Sequence, residues 1–247
     1  MEQDTIYEER IVAFVDILGF RDLIKKTETN QGLAERTLSI LNYVKDIRDK
    51  NRSGIRPECD VHGRQVTIFS DSVVISYPTY SNNCLFSAIY DIVLLQFNMF
   101  ANGFPMRGGI SLGAIHHQQD IAFGPALIDA YDLESKSAVY PRIVITEDTV
   151  QKGLTKNPHN YHEEEMNSVL GMLHKDSDGL YHVDFLNQRA DTDNDEEYVL
   201  LLSKVRNMIL AGLSSENVSI QQKYMWLKTR YNAAVKLQKL EEFSPLV

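Results

Sequence analysis

Two aspartates stand where an acid is expensive. Asp16 ends an apolar, β-branched run over 10–15, and Asp71 separates the β-rich runs 65–70 and 72–77. An acid at the end of a buried strand is costly unless something positive meets it. Brought together, two of them repel, and a hard cation such as Mg²⁺ or Mn²⁺ resolves the conflict because it prefers carboxylate, carbonyl, water and phosphate oxygen. Two such ions roughly 3.5–4 Å apart can activate one oxygen and neutralise a leaving pyrophosphate in an in-line displacement. The main-chain N–H groups of Leu18, Gly19 and Phe20, at the start of a helix, suit phosphate oxygens. Arg107, just before Gly108-Gly109, adds a fixed positive charge for a polyphosphate. Taken singly, Asp16 reads as a helix cap and Asp71 as a turn residue. The pair, joined by Arg107 in the strand order below, is what points to chemistry.

The elements that must position these residues follow from hydrophobic period. A strand over 10–15 turns at Asp16 into an amphipathic stretch, whose stripe Leu33, Leu38, Leu41, Val44 and Ile47 predicts a helix to about Lys50, broken by polar residues 51–54. Ser70-Asp71-Ser72 reads as a tight hairpin turn. An apolar helix over 82–102 follows, then a strand over 105–112 with 114–123 as its hairpin partner. Gly124-Pro125 opens a helix to about Lys136, and 142–145 is strand-like. The order β-α-β-β-α-β predicts an α+β, ferredoxin-like palm, which brings Asp16 and Asp71 together across 55 positions. Beyond Ile145 the pattern weakens to a late strand over 180–186 and two helices, 196–213 and 218–240. The expected organisation is a catalytic domain over 1–190 with a helical C-terminal extension, 191–247, packed on it.

Composition excludes several classes. A net charge of −9 disfavours duplex nucleic acid as a partner. No apolar run approaches the roughly 20 residues of a membrane span, and the polar, acidic start is unlike a targeting peptide, so a cytoplasmic enzyme is expected. Cys59 and Cys84 lack metal-type spacing and read as small hydrophobes. Asp191–Asp195 imitates a calcium loop, but Glu196 and Leu202 stand where Gly and Glu are needed. His116 and His117 would face opposite ways on a strand and read as hairpin surface. His162 with Glu163–Glu165 lacks the second histidine of a zinc helix. Lys175 reads as a solvated turn lysine; Tyr43, Phe69, Phe123 and the Trp226 helix read as packing residues.

Phe14-Val15-Asp16-Ile17-Leu18-Gly19-Phe20 resembles the first metal motif of class III nucleotidyl cyclases, and Phe69-Ser70-Asp71-Ser72 their second. Met106-Arg107-Gly108-Gly109-Ile110-Ser111-Leu112-Gly113 resembles their arginine strand, and Phe123 to Glu134 the helix after it. The resemblance spans about residues 11–145. It implies two divalent cations (Mn²⁺ or Mg²⁺) on Asp16, Asp71 and the Ile17 carbonyl, with Arg107 on the triphosphate. It also implies a head-to-tail homodimer with the site between subunits.

The departures concern substrate. The base-selecting positions of purine cyclases fall on Thr67 and Ile121, which lack the donor and acceptor pattern for adenine; the transition-state Asn and Arg fall on Ile128 and Asp132. Metals and main-chain donors must then supply more of the stabilisation. The short 113–123 connection, Tyr140-Pro141-Arg142-Ile143 and Lys223-Tyr224-Met225-Trp226-Leu227 resemble the pyrimidine cyclases of bacterial Pycsar anti-phage systems. That branch implies cyclisation of UTP (favoured) or CTP to a 3′,5′-cyclic nucleotide that activates a separate effector.

Overall fold

The computed structural model describes residues 6–53, 63–156, 162–189, 195–240 and 243–246. Gly54, Cys59 and the loop residues Asp191–Asn194 lie outside them. Strand β1 (Glu8–Ile17) alternates strictly: Ile11, Ala13, Val15 and Ile17 enter the main core, while Arg10, Val12, Phe14 and Asp16 face the other way. It is followed by α1 (Phe20–Thr27), α2 (Gln31–Ser53), β2 (Gln65–Phe69), β3 (Ser72–Pro78), α3 (Cys84–Ala101), β4 (Met106–Gln118), β5 (Ile121–Phe123) and α4 (Pro125–Asp132). A π-helical turn (Leu133–Ser137) leads to β6 (Ile143–Ile145), α5 (Glu147–Thr155), α6 (His162–Gly171), β7 (Leu173–Lys175), β8 (Tyr181–Val183), a 3₁₀ turn (Phe185–Asn187), α7 (Asp195–Leu213) and α8 (Val218–Gln238).

The sheet order is β2-β3-β1-β4-β6-β8-β7, with β5 paired to β4 beside it; β4 and β6 run parallel and the other pairs antiparallel. The β2-β3-β1-β4 portion, with helices after β1 and before β4, is the ferredoxin-like βαββαβ palm expected from the strand order. Two helical layers result. Helices α2, α3, α7 and α8 pack on the face that carries Ile11, Val15, Val73, Ile75 and Ile110, and α7 and α8 share that one core through Tyr198, Leu202, Leu227 and Tyr231. Among the described residues, helix α4 packs on the opposite face, against Val12, Val74 and Ile115, and the π-helical turn follows it there.

Several details depart from the expected elements. The first helical stretch breaks into α1 and α2, and Leu38, expected on its buried stripe, is exposed where Ile40 is buried. Helix α2 runs on through Ser53 rather than ending at Lys50. Strand β4 continues unbroken to Gln118, so its hairpin turns only at Gln119-Asp120, with Gln119 at φ 54°. Helices α5 and α6 and strand β7 were not legible in the weak pattern beyond Ile145; Thr146 caps α5 by accepting from the Thr149 N–H at 3.1 Å. Helix α3, 18 residues of mean hydropathy 1.6, does match a short membrane span by length and composition, contrary to the expectation of no such run. It is apolar all round because sheet and helices bury it, 61% of it inside the protein.

Candidate active site

The register of β1 decides the site. Asp16 lies directly opposite Ser72 of β3 on one side and Arg107 of β4 on the other, so all three share the sheet face away from the main core. The Ile17 N–H donates to the Asp71 carbonyl at 3.3 Å, and the Ser72 hydroxyl donates to Asp16 Oδ1 at 3.3 Å. The β2–β3 turn, with Ser70 at φ 58°, is thereby fastened to the end of β1. The two carboxylates meet: the Asp16 carboxyl is pushed up to about 6, by burial first, then by the adjoining Asp71 carboxyl, with Glu134 adding and Arg107 opposing.

Arg107 does not point freely outward. Its guanidinium lies 3.6 Å from Asp16 Oδ2, and its Nε lies 2.7 Å from Glu134 Oε1. That second contact is too poorly aligned for a hydrogen bond and acts as an ion pair, since both atoms are buried with no hydrogen-bond partner among the described residues. Glu134 is only 3% exposed, and burial raises its carboxyl while Arg107 opposes the rise. Its sequence signal was slight, a glutamate in the helix after the arginine strand. Two glycines make the arrangement possible. A Cβ on Gly109 would stand 2.3 Å from the Ala130 carbonyl and 2.5 Å from Leu133 Cβ; one on Gly108 would meet the Phe14 carbonyl at 2.6 Å. The helix α4 and its π-helical turn therefore rest directly on β4, and the π-turn carries Glu134 to Arg107.

The helix-start amides are only partly available. The Leu18 N–H, expected to face phosphate, instead donates to the Pro105 carbonyl at 2.8 Å, because the chain leaving β1 still pairs with the residue before β4. Gly19 adopts φ 79° as the N-cap of α1, and the N–H groups of Gly19 and Phe20 have no internal acceptor among the described residues. Thr67 is also committed. It is 2% exposed, its hydroxyl donates to the Gln119 carbonyl at 2.9 Å, and it lies 2.9 Å from His117 Nε2.

His117 corrects the hairpin-surface reading. His116 and His117 do face opposite ways, but the β4–β5 arm bends across the sheet and buries His117 over β3. Arg10 Nε can only donate, and it reaches Ser76 Oγ at 2.7 Å. Ser76 therefore donates to His117 Nδ1 at 2.8 Å, and His117 Nε2–H donates to Thr67. One tautomer satisfies every member. Burial and the Arg10 charge hold this imidazole down at about 4. Phe69 and Phe123, expected in the core, are 47% and 41% exposed. Phe69 shares this face with Ser72, and Ile128 and Tyr131 of α4 are exposed, whereas Phe123 pairs with His116 and stands on the opposite side of the β4–β5 arm from His117, as Ile121 does. A pocket of about 110 Å³ between Tyr43, Arg64, Val66, Ile75 and Asp91 belongs to the other side of the sheet. Lys175 is exposed and paired with Glu147 at 2.8 Å, and Trp226 is packed in the protein, stacked on Tyr140.

No family model matches this chain, and no curated protein matches it. Two solved structures, each described as a bacterial light-regulated adenylyl cyclase, are similar to it at 16% identity and a TM-score of 0.45, over 80% of this chain. The likeness spans 57% of those proteins, so this chain matches little more than half of their length.

Proposed function

We propose that the protein is a nucleotidyl cyclase that converts a pyrimidine nucleoside triphosphate, UTP before CTP, into its 3′,5′-cyclic nucleotide and pyrophosphate. Its setting in this reading is the bacterial cytoplasm, in anti-phage signalling through a separate effector. The observation that carries it is the convergence of Asp16, Asp71 and Arg107 at one end of a ferredoxin-like sheet, with the Asp16 carboxyl raised to about 6 by burial and then by the adjoining Asp71. Such a pair is a poor structural element and a good cation site. Asp16 and Asp71, with the Ile17 carbonyl, would hold two Mn²⁺ or Mg²⁺ ions. Among the described residues no three His, Cys, Asp or Glu side chains form a ready metal cage, so water and substrate phosphate must complete the coordination, which suits Mg²⁺. Bound there, the ions supply a lowered pKa for the ribose 3′-hydroxyl and neutralisation of the leaving pyrophosphate.

The chain's own residues would bind and orient. The open Gly19 and Phe20 amides suit a phosphate oxygen, and Arg107, braced by Glu134, holds positive charge against the metal-binding carboxylate. Purine recognition finds little support: the Thr67 hydroxyl is used internally, and Ile121 offers only an exposed hydrocarbon. The exposed Phe69, Ile128 and Tyr131 favour a second copy covering this face, as the head-to-tail homodimer requires.

A catalytically silent nucleotide-binding module is the second reading. It is favoured by Ile128, exposed and apolar, and by Asp132, paired with Lys136, at the positions where cyclases carry Asn and Arg. Incubation of the purified protein with each of the four NTPs and Mn²⁺, followed by separation of products, distinguishes the two. Cyclic UMP or CMP, abolished by Asp71→Ala, is the expected result. Binding without product from any NTP would transfer the assignment to the silent module.

A further inference from the structure

Helix α8 brings a charge to the site that the strand motifs do not contain. Trp226 stacks on Tyr140 with ring centroids 5.7 Å apart and planes 3° from parallel. Tyr140 leads into β6, where the Arg142 carbonyl accepts from the Gly108 N–H at 3.1 Å and Ile143 pairs with Gly108. The Trp226 contact therefore ties α8 to the segment entering β6, the strand that pairs with β4 at Gly108, next to Arg107. Lys223 is one helical turn before Trp226, on the same side of α8. It is half-buried, and among the described residues it has no carboxylate and no hydrogen-bond acceptor.

The charges near β4 are unequally matched. Arg107 is held by Asp16 and Glu134, so its charge is largely answered within the protein. Lys223 is answered by nothing among the described side chains, and its interacting neighbour is Arg107, a like charge. Burying an ammonium beside a guanidinium is unfavourable in both desolvation and repulsion, and an anion relieves both at once. Burial and Arg107 accordingly hold the Lys223 ammonium below the ordinary lysine range. A surface lysine kept for solubility has neither property; Lys175 shows the contrast, exposed and paired with Glu147.

We propose that Lys223 is a triphosphate-binding residue of this site, so that the C-terminal helices complete the substrate pocket as well as the core. The assignment rests on the nucleotidyl cyclase reading. Lys223 would supply, from α8 of the same chain, positive charge that Ile128 and Asp132 do not provide. An ammonium is a compact point charge that does not need the planar fork of an arginine, so Lys223→Arg should substitute for it at least partly.

The test uses the full chain as wild type, Lys223→Met and Lys223→Arg. Calorimetric binding of inorganic tripolyphosphate with Mn²⁺, KM and kcat for the NTP that is turned over, and the urea unfolding midpoint are measured for each. Loss of one charge-assisted contact is expected to weaken tripolyphosphate binding and raise KM roughly 10- to 100-fold in Lys223→Met, with Lys223→Arg recovering most of it and the midpoints unchanged. An active wild type whose Lys223→Met variant binds and turns over equally well overturns the role of Lys223 and leaves the cyclase reading standing. A loss in Lys223→Met that tracks a lowered midpoint and is not recovered by Lys223→Arg makes the residue structural, which also overturns it. A wild type that neither binds tripolyphosphate with Mn²⁺ nor forms product from any NTP overturns the cyclase reading, and the assignment falls with it.

Discussion

Replacing Asp16 by Asn in protein stripped of divalent cations is expected to stabilise it, increasingly so as pH rises. The Asp16 carboxyl titrates at about 6 in the folded protein against an ordinary 3.8, so the folded state binds more protons than the unfolded chain between those values and stability falls as pH climbs through them. The cost is absent below 3.8 and complete above 6. Linkage puts it at about 1 kcal/mol at pH 4.5 and about 3 kcal/mol at pH 8. Asparagine removes the charge but keeps the shape, and Arg107 retains Glu134. The ion pair given up is 3.6 Å long with both partners partly exposed, so about 0–1 kcal/mol is subtracted from the gain. The net expectation at pH 8 is a gain of about 2–3 kcal/mol in the urea unfolding free energy, shrinking to about 0–1 kcal/mol at pH 4.5. Added Mn²⁺ should then raise the stability of the wild type at pH 8 and leave Asp16→Asn unmoved, because the ion stabilises by binding the folded form alone. A variant less stable than wild type at pH 8, or a gain equal at both pH values, would refute the reasoning: Arg107, and not burial with the neighbouring carboxylate, would then dominate the environment of Asp16.

Gly109→Ala must displace backbone of α4 and its π-helical turn, with contacts of 2.3 and 2.5 Å, so a loss of about 1–3 kcal/mol in the unfolding free energy is expected, along with weakened Mn²⁺-dependent binding as Glu134 moves off Arg107. His117 should stay neutral, protonated on Nε2, down to pH about 4, as read from the ¹⁵N shifts of its ring. Its sign is opposite to that of Asp16: the unfolded chain takes up the proton near 6.5 and the folded protein near 4. Its cost is therefore nil above 6.5 and grows as pH falls through that window, which a pH series of unfolding free energies on His117→Gln and wild type would separate.

Some of this protein could be read without coordinates because local chemistry left little choice. The apolar, β-branched run of β1 and the apolar runs around Asp71 specify strands, Pro after Gly124 opens a helix, and those elements in order admit the ferredoxin-like palm. Strand pairing then places Asp16 opposite Ser72 and Arg107. Positions 146–175 resisted because α5, α6 and β7 are short and lean on contacts made by distant segments, so no window carries a clear period. Phe69 and Phe123 misled for a related reason: a large apolar residue signals burial of one face, and whether the chain or a second copy covers it is a tertiary matter.

What the sequence by itself determined is the set of residues with a chemical motive, two acids at strand ends and an arginine beside two glycines. What only the tertiary structure decided is which partners those groups meet. The Leu18 amide went to Pro105, the Thr67 hydroxyl to Gln119 and His117, and Arg107 to Glu134, while α8 carried Lys223 to the same end of the sheet. Hydrogen bonds and ion pairs act over a few ångströms, and chain separation says nothing about which groups folding will bring within that reach.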